Sequence, residues 1–167
     1  LDAFTATVTD SLGGTSTQAV SLTINPVDDQ ASLTGDITAT GNEDSAISGT
    51  LTATDVDGLG SSPYSIADSN KPSNGTATID SATGKWNYTP KANYHGKDAF
   101  TVTVTDSLGG SSTQLIALTI NPVDDPTVVA AGASGNGLKN KSITGKLIAT
   151  DIEGLTNSTI YTIVSSN

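Results

Sequence analysis

Cysteine, methionine and arginine are all missing from the 167 residues, and aromatic side chains make up only 4%. Without cysteine there is no disulfide framework and no thiolate metal site, so stability outside a cell must come from packing or from hard cations held by oxygen. Seven lysines stand against 17 acids, giving a net charge of −10. That leaves none of the clustered positive charge that nucleic acid and anionic membranes require, and excludes both as partners. No apolar run approaches the roughly 20 residues of a membrane span, and nothing has the charged-then-apolar layout of a signal peptide. Enzyme chemistry has little footing. The single histidine, His95, reads as a surface loop residue, no Gly-x-Ser-x-Gly elbow exists, and the Gly-Lys pairs at Gly84 and Gly145 are followed by Trp86 and Leu147, so no phosphate loop forms. Leu, Met, Glu and Lys are too sparse for helices, whereas Thr, Ser, Gly, Asp and Asn dominate, which is a β composition.

What is present is a repeat with a period of 96 residues. Asp2 to Asp29 returns as Asp98 to Asp125 with small exchanges such as Ala6 for Val102, and Gly49 to Leu59 returns as Gly145 to Leu155. A unit this long is a domain in itself, since solenoid repeats run roughly 20 to 50 residues. The chain is expected to hold the last two strands of one repeat (1–25), one whole repeat (26–121) and the first three strands of the next (122–167). The open ends read as a segment of a longer array.

Within the whole repeat, Phe100, Val102 and Val104 alternate with Thr101, Thr103 and Thr105, the period of two of a half-buried strand. Ile116, Leu118 and Ile120 match Val20, Leu22 and Ile24 one period earlier, while the positions between them drift, which marks the inward face. Inward residues of the earlier strands are Leu33, Ile37 and Ala39, then Ile47, Leu51 and Ala53 (repeated as Ile143, Leu147 and Ala149), Tyr64 and Ile66, Ala77 and Ile79, and Trp86 and Tyr88. The turn Asp80-Ser81-Ala82-Thr83-Gly84 joins the last two of these pairs. The expectation is all-β: tandem seven-stranded Greek-key β-sandwiches of the immunoglobulin or cadherin kind, with Trp86 in the core and Tyr94 as a corner-locking tyrosine.

Trp86 to Asp106, with Tyr88-Thr89-Pro90, the spacing of Gly96, Asp98 and Phe100, and the linker Asn121-Pro122-Val123-Asp124-Asp125, resembles the cadherin-like repeats of giant bacterial surface adhesins, including VCBS-type and tandem-95 repeats. The resemblance covers the whole chain. It implies an extracellular, calcium-rigidified spacer at the bacterial cell surface, secreted by a type I system in Gram-negative bacteria.

Strand order alone distributes the acids between two poles. Loops alternate between the ends of a sandwich, so Asp55, Asp57 and Asp106 share the pole of the incoming linker, and Glu43, Asp44 and Asp98 share the pole of the outgoing one. The first joint is expected to gather Asp2, Asp28, Asp29, Asp55 and Asp57. Around the second should stand Glu43, Asp98, Asp124, Asp125, Asp151 and Glu153. Several carboxylates at close range repel unless a cation joins them, and Ca2+ suits such a set because it takes 6 to 8 oxygens, carbonyls included. Asp55-Val56-Asp57-Gly58 can turn two carboxylates to one ion. The third repeat departs from the pattern, with Lys139-Asn140 in place of Glu43-Asp44, Gly132 to Gly137 as an irregular stretch and one extra residue before Tyr161; a joint following it should bind calcium less well, or differently. Asn87-Tyr88-Thr89 and Asn157-Ser158-Thr159 fit the glycosylation pattern but are common by chance in a Thr-rich chain.

The function these features support is a spacer whose partners are neighbouring repeats of the same chain. Two other classes remain open on the sequence: a glycan-binding or homophilic module, for which exposed aromatics are scarce, and a filament subunit completed by strand addition.

Overall fold

A computed structural model describes residues 2–130, 135–143 and 146–155. Apart from one 3-10 turn at Asp68–Asn70, regular structure among these residues is all β. The chain opens with a hairpin, β1 (Asp2–Thr9) and β2 (Thr15–Leu22). The middle repeat follows with β3 (Ser32–Gly35), β4 (Thr38–Asn42), β5 (Ile47–Thr54), β6 (Leu59–Ser65), β7 (Gly75–Ile79), β8 (Lys85–Pro90), β9 (Gly96–Asp106) and β10 (Ser111–Asn121). A short pair, β11 (Val128–Val129) and β12 (Ala149–Thr150), begins the third repeat.

The middle repeat is a sandwich of two four-stranded sheets, ordered β4-β10-β9-β6 and β3-β5-β8-β7. Every strand with a strict period of two turns its apolar residues to the space between them. Ile47, Leu51 and Ala53 of β5, Trp86 and Tyr88 of β8, Phe100, Val102 and Val104 of β9, and Ile116, Leu118 and Ile120 of β10 form one buried cluster with Tyr64 and Ala77. Trp86 meets Phe100 edge to face at 5.7 Å, the geometry in which aromatic pairs add about 0.5–1.5 kcal/mol beyond area burial. The Tyr64 ring is buried in the core, and its hydroxyl oxygen reaches β5, where it accepts the Ala53 N–H at 2.9 Å. At the expected turn, Asp80 Oδ1 accepts the N–H groups of Ala82 and Thr83, and Gly84 at φ +69 closes it.

The first strand differs from expectation. It splits between the sheets: β3 pairs with β5, the chain turns at Gly35 (φ +111), and β4 continues beside β10 in parallel. Asp36 fastens the crossing, its Oδ2 accepting the Thr50 N–H while its own N–H donates to the Thr50 carbonyl. Ile37, expected in the core, lies at this crossing and is 40% exposed, because a strand changing sheets presents its crossover residue to neither interior. Ile66 falls just past the end of β6, and it and Ile79 are half-buried at the core's margin.

The third repeat begins in the same register as the second. Val128 pairs with Thr150 as Ser32 pairs with Thr54, and Val129 with Ala149 as Leu33 with Ala53. Its expected core residues Ile143 and Leu147 are exposed and Ala149 is half-buried. Gly132 to Ser134, the residues around Tyr161 and the Asn157 triplet lie outside the described residues.

Candidate functional site

At the incoming pole two loops and the linker meet. The loop after β5 is folded on itself by the Asp57 N–H donating to Asp55 Oδ1 at 2.8 Å, an Asx turn that carries the chain through Gly58 at φ +92. It is tied to the loop after β9: Ser107 Oγ donates to the Asp57 carbonyl at 2.6 Å, and the Ser107 N–H to the Gly58 carbonyl. The linker joins them through the Asp29 N–H, which donates to Asp57 Oδ2 at 3.1 Å. Asp28 and the buried Asp106 flank Gly110 so closely that a Cβ there would run into both carboxylates.

The electrostatics follow from this crowding. Asp28 is raised above the ordinary carboxylate value of 3.8, by loss of water contact first and then by the charges of Asp106, Asp55 and Asp57. Asp55 Oδ2 is buried with no hydrogen-bond partner. Four of the sequence-predicted acids, Asp28, Asp55, Asp57 and Asp106, are therefore brought together. Asp29 contributes its backbone N–H. Asp2 is not among the groups that act on Asp28; it sits exposed on β1, its carboxylate accepting from its neighbour Ala3.

The second joint repeats these contacts 96 residues later. The Asp125 N–H donates to Glu153 Oε2 at 3.1 Å, and the Glu153 N–H to Asp151 Oδ1 at 3.1 Å, in the places of Asp29, Asp57 and Asp55. Here Thr127 Oγ1 donates to Asp151 Oδ2 at 2.8 Å. The equivalent residue at the first joint is Ala31, which has no hydroxyl, and this is why Asp55 Oδ2 is orphaned there. A recess recurs at both joints: about 250 Å³ lined by Gln30, Ser32, Asp55 and Val56, and about 360 Å³ lined by Pro126, Val128, Asp151 and Ile152 with Asn93 and Asp125.

The outgoing pole of the middle repeat adds a second grip. Glu43 is 1% exposed; its Oε1 accepts the Val123 N–H at 2.7 Å, while Oε2 has no hydrogen bond and faces His95 Nδ1 at 3.5 Å. Asp44 Oδ1 accepts the Asn93 N–H, and Asn93 Nδ2 donates to Asp125 Oδ2 at 2.7 Å. Asp124 is exposed. Asp98 does not join this group. It belongs to β9, and its carboxylate is committed within the sandwich, accepting the Ser73 and Asn74 N–H groups and the Tyr88 hydroxyl. Burial and that carboxylate push the Tyr88 hydroxyl well above the ordinary tyrosine range. Tyr94 Oη donates to the Lys97 carbonyl at 2.6 Å, the corner lock expected of it.

Sequence reasoning did not find Asn93 or Thr127. For Asn93 a signal existed, since Asn is among the few residues that tolerate a left-handed backbone, and its φ is +59. Among the described residues no three His, Asp or Glu side chains converge tightly enough to enclose an ion by themselves. Nor is any helix among them long and apolar enough to cross a membrane.

No curated protein matches the sequence. A family model described as bacterial Ig domain matches residues 28–119, more than half of the chain and the sandwich from the linker acids to within two residues of the end of β10. With its two packed antiparallel-rich sheets and buried Trp86, the chain belongs to the bacterial Ig domain family, generally structural, non-catalytic domains typical of bacterial surface proteins.

Proposed function

We propose that this chain is a spacer segment of a repetitive cell-surface protein acting in adhesion or biofilm, its sandwiches set in series and stiffened by calcium at each joint. The observation that carries the reading is the recurrence, 96 residues apart, of one grip of the linker by the following repeat: Asp29 N–H on Asp57, Asp125 N–H on Glu153. A linker held the same way each time sets repeats at a repeated angle. Each repeat would add about 40 Å of length, from roughly 3.4 Å per residue along its strands plus the loops.

The donor chemistry fits a hard cation. Asp28, Asp55, Asp57 and Asp106 would hold it at the first joint, where an orphaned buried oxygen and mutual repulsion await a positive charge. Asp125, Asp151, Glu153 and the Asn93 side-chain oxygen would do so at the second. Backbone carbonyls and water would complete the shell, since calcium takes 6 to 8 oxygens and the carboxylates alone do not enclose a point. When bound, the ion cross-links segments of the linker and loops and removes their repulsion. By linkage it favours the ordered joint by RT ln(1 + [L]/Kd), so a site of about millimolar affinity fills outside a cell and empties inside it.

The test is a thermal melt and small-angle scattering in EDTA and in millimolar calcium. A higher Tm and a longer maximum dimension with calcium, both abolished by Asp55→Asn with Asp57→Asn, are expected. Identical curves with and without calcium would leave these acids as solvated turns.

A further inference from the structure

We infer that Glu43 is the positioning residue of the outgoing linker, fastening it to the body of the middle repeat by hydrogen bonding that needs no cation. Burying a carboxylate to 1% exposure is costly unless fixed partners compensate, and the apolar cluster beneath it has no use for a charge. Its partner lies 80 residues along the chain. Oε1 accepts the N–H of Val123, three residues past the last core residue Ile120, and the Glu43 N–H donates to the Asn121 carbonyl at 2.9 Å. This is a charge-assisted bond, the strong kind.

A second tie runs in parallel. Asp44, at φ +57, accepts the Asn93 N–H, and the Asn93 side chain donates to Asp125. The linker is thus held at Val123 and again at Asp125, from two different loops. One attachment fixes where a linker starts; two fix the direction in which it leaves. On the side of the next repeat the Asp125 N–H is taken by Glu153, so lifting the linker off either repeat breaks one of these bonds.

The next repeat carries a natural contrast. Asn140 occupies the place of Asp44 and keeps its backbone, at φ +62, while Lys139 occupies the place of Glu43. The turn survives and the acceptor does not, because an ammonium group can only donate. The residue at position 43 of the repeat therefore sets whether the outgoing linker is latched, and the spacer reading gives this its consequence: latched and unlatched joints in one array.

The experiment is amide exchange by NMR on the whole chain in EDTA, reading Val123 against the core amides of Val102 and Ile116. In the unaltered chain Val123 is protected. Glu43→Gln keeps the acceptor oxygen and loses only the share of protection that the charge supplies, less than about tenfold; Glu43→Lys raises Val123 exchange roughly 10- to 100-fold with the core amides unchanged, the range a hydrogen bond to a charged group supports. Asn93→Gly, which keeps the positive φ and touches no core residue, breaks the second tie and raises the mobility of Asp125 in nitrogen-15 relaxation while Val123, still on Glu43, stays protected, a readout that stands even if Glu43→Lys fails to fold. An unprotected Val123 in the unaltered chain, equal exchange in the Gln and Lys variants, or a Val123 that loses its protection in Asn93→Gly with Glu43 intact overturns the inference. Repeating the series in calcium separates the two readings. Protection of Val123 only with calcium sinks the latch and leaves the cation reading standing, whereas a latch seen in EDTA with no response to calcium does the reverse.

Discussion

The hairpins β1–β2 and β9–β10 are nearly one sequence folded in one register, yet their surfaces are opposite. Phe4 pairs with Val20 as Phe100 pairs with Ile116, and Asp2 with Leu22 as Asp98 with Leu118. Even the turn is the same: Asp10 Oδ1 accepts the Leu12 and Gly14 N–H groups as Asp106 Oδ1 accepts those of Leu108 and Gly110. But Phe4 is 55% exposed and Phe100 2%, Val8 70% and Val104 0%. Local sequence is enough to make the hairpin. Burial belongs to the opposing sheet β3-β5-β8-β7, which covers β9–β10, while β1–β2 forms a two-stranded sheet of its own among the described residues. Two strands alone are marginal in water, and among the described residues no second sheet packs on the first hairpin.

Matched substitutions 96 residues apart turn this contrast into numbers. The largest difference is expected at the aromatic pair. Phe100→Ala removes the ring packed against Trp86 and should cost about 3–5 kcal/mol in urea denaturation. Phe4→Ala, with its ring half in water and no second sheet over it among the described residues, should stay within about 0.5 kcal/mol in this chain. Equal losses would mean that the first hairpin has a hidden partner.

Next comes the pair Asp98 and Asp2. Asp98→Asn replaces a charged acceptor that, besides its own neighbour Ala99, takes the Ser73 and Asn74 N–H groups and the Tyr88 hydroxyl, and is expected to cost about 1.5–3 kcal/mol. Asp2→Asn should leave the same denaturation curve unchanged, since it accepts only from its own neighbour. A silent Asp98→Asn would return that residue to the list of joint acids.

These two pairs also show what could be read from the chain and what could not. The alternation of Phe100, Val102 and Val104, and the positions that stay apolar between repeats, point to the inward face, because a period of two with one face kept apolar marks one side of a sheet; whether that side is covered is decided by the opposing sheet. Asp98 and Ile37 were misplaced for a common reason. Their fates depend on which sheet crosses above them, at the β3–β4 crossing for Ile37 and beside the loop before β7 for Asp98, and no local pattern records that. The acids at the incoming pole were legible because loop polarity follows from strand order alone. The grip of Glu43 on Val123 was not, since burial of a carboxylate 80 residues from its partner leaves no periodic trace.

A smaller effect separates Asp106 from Asp10 through pH. Asp28 is raised, so the folded state holds that proton more tightly than the unfolded one. The resulting stabilisation is fully present below 3.8 and is lost as pH rises through the raised value, which makes the ionised group a burden at neutral pH. Asp80 and Asp68 run the other way: lowered by Thr83 and Lys71 respectively, they add stability above 3.8 that fades as pH falls below it. Metal-free protein should therefore gain Tm on mild acidification from neutral, before the loss at stronger acid sets in. Asp106→Asn removes the largest of the charges acting on Asp28 and should flatten the gain; Asp10→Asn, on the other hairpin, should leave the profile as it was. A profile that falls steadily from neutral pH in the unaltered chain would show that the crowding at Gly110 is relieved in solution.

The smallest effect distinguishes the two joints themselves. Thr127 supplies a hydroxyl to Asp151 Oδ2 at 2.8 Å, and Ala31 supplies none to Asp55. In EDTA, Thr127→Ala should loosen the second joint by about 1 kcal/mol, the net worth of one such bond, seen as faster amide exchange at Asp125 and Glu153 with the sandwich core unmoved. In calcium the same hydroxyl becomes a competitor. A hydroxyl already seated on Asp151 must give way or share that oxygen when an ion arrives, so removing it makes the second joint more like the first, and the calcium-induced gain in protection should become larger in the alanine variant than in the unaltered chain. A loss of the same size with and without calcium would show that the hydroxyl and the cation do not compete for Asp151, and that the two joints differ only in a local hydrogen bond.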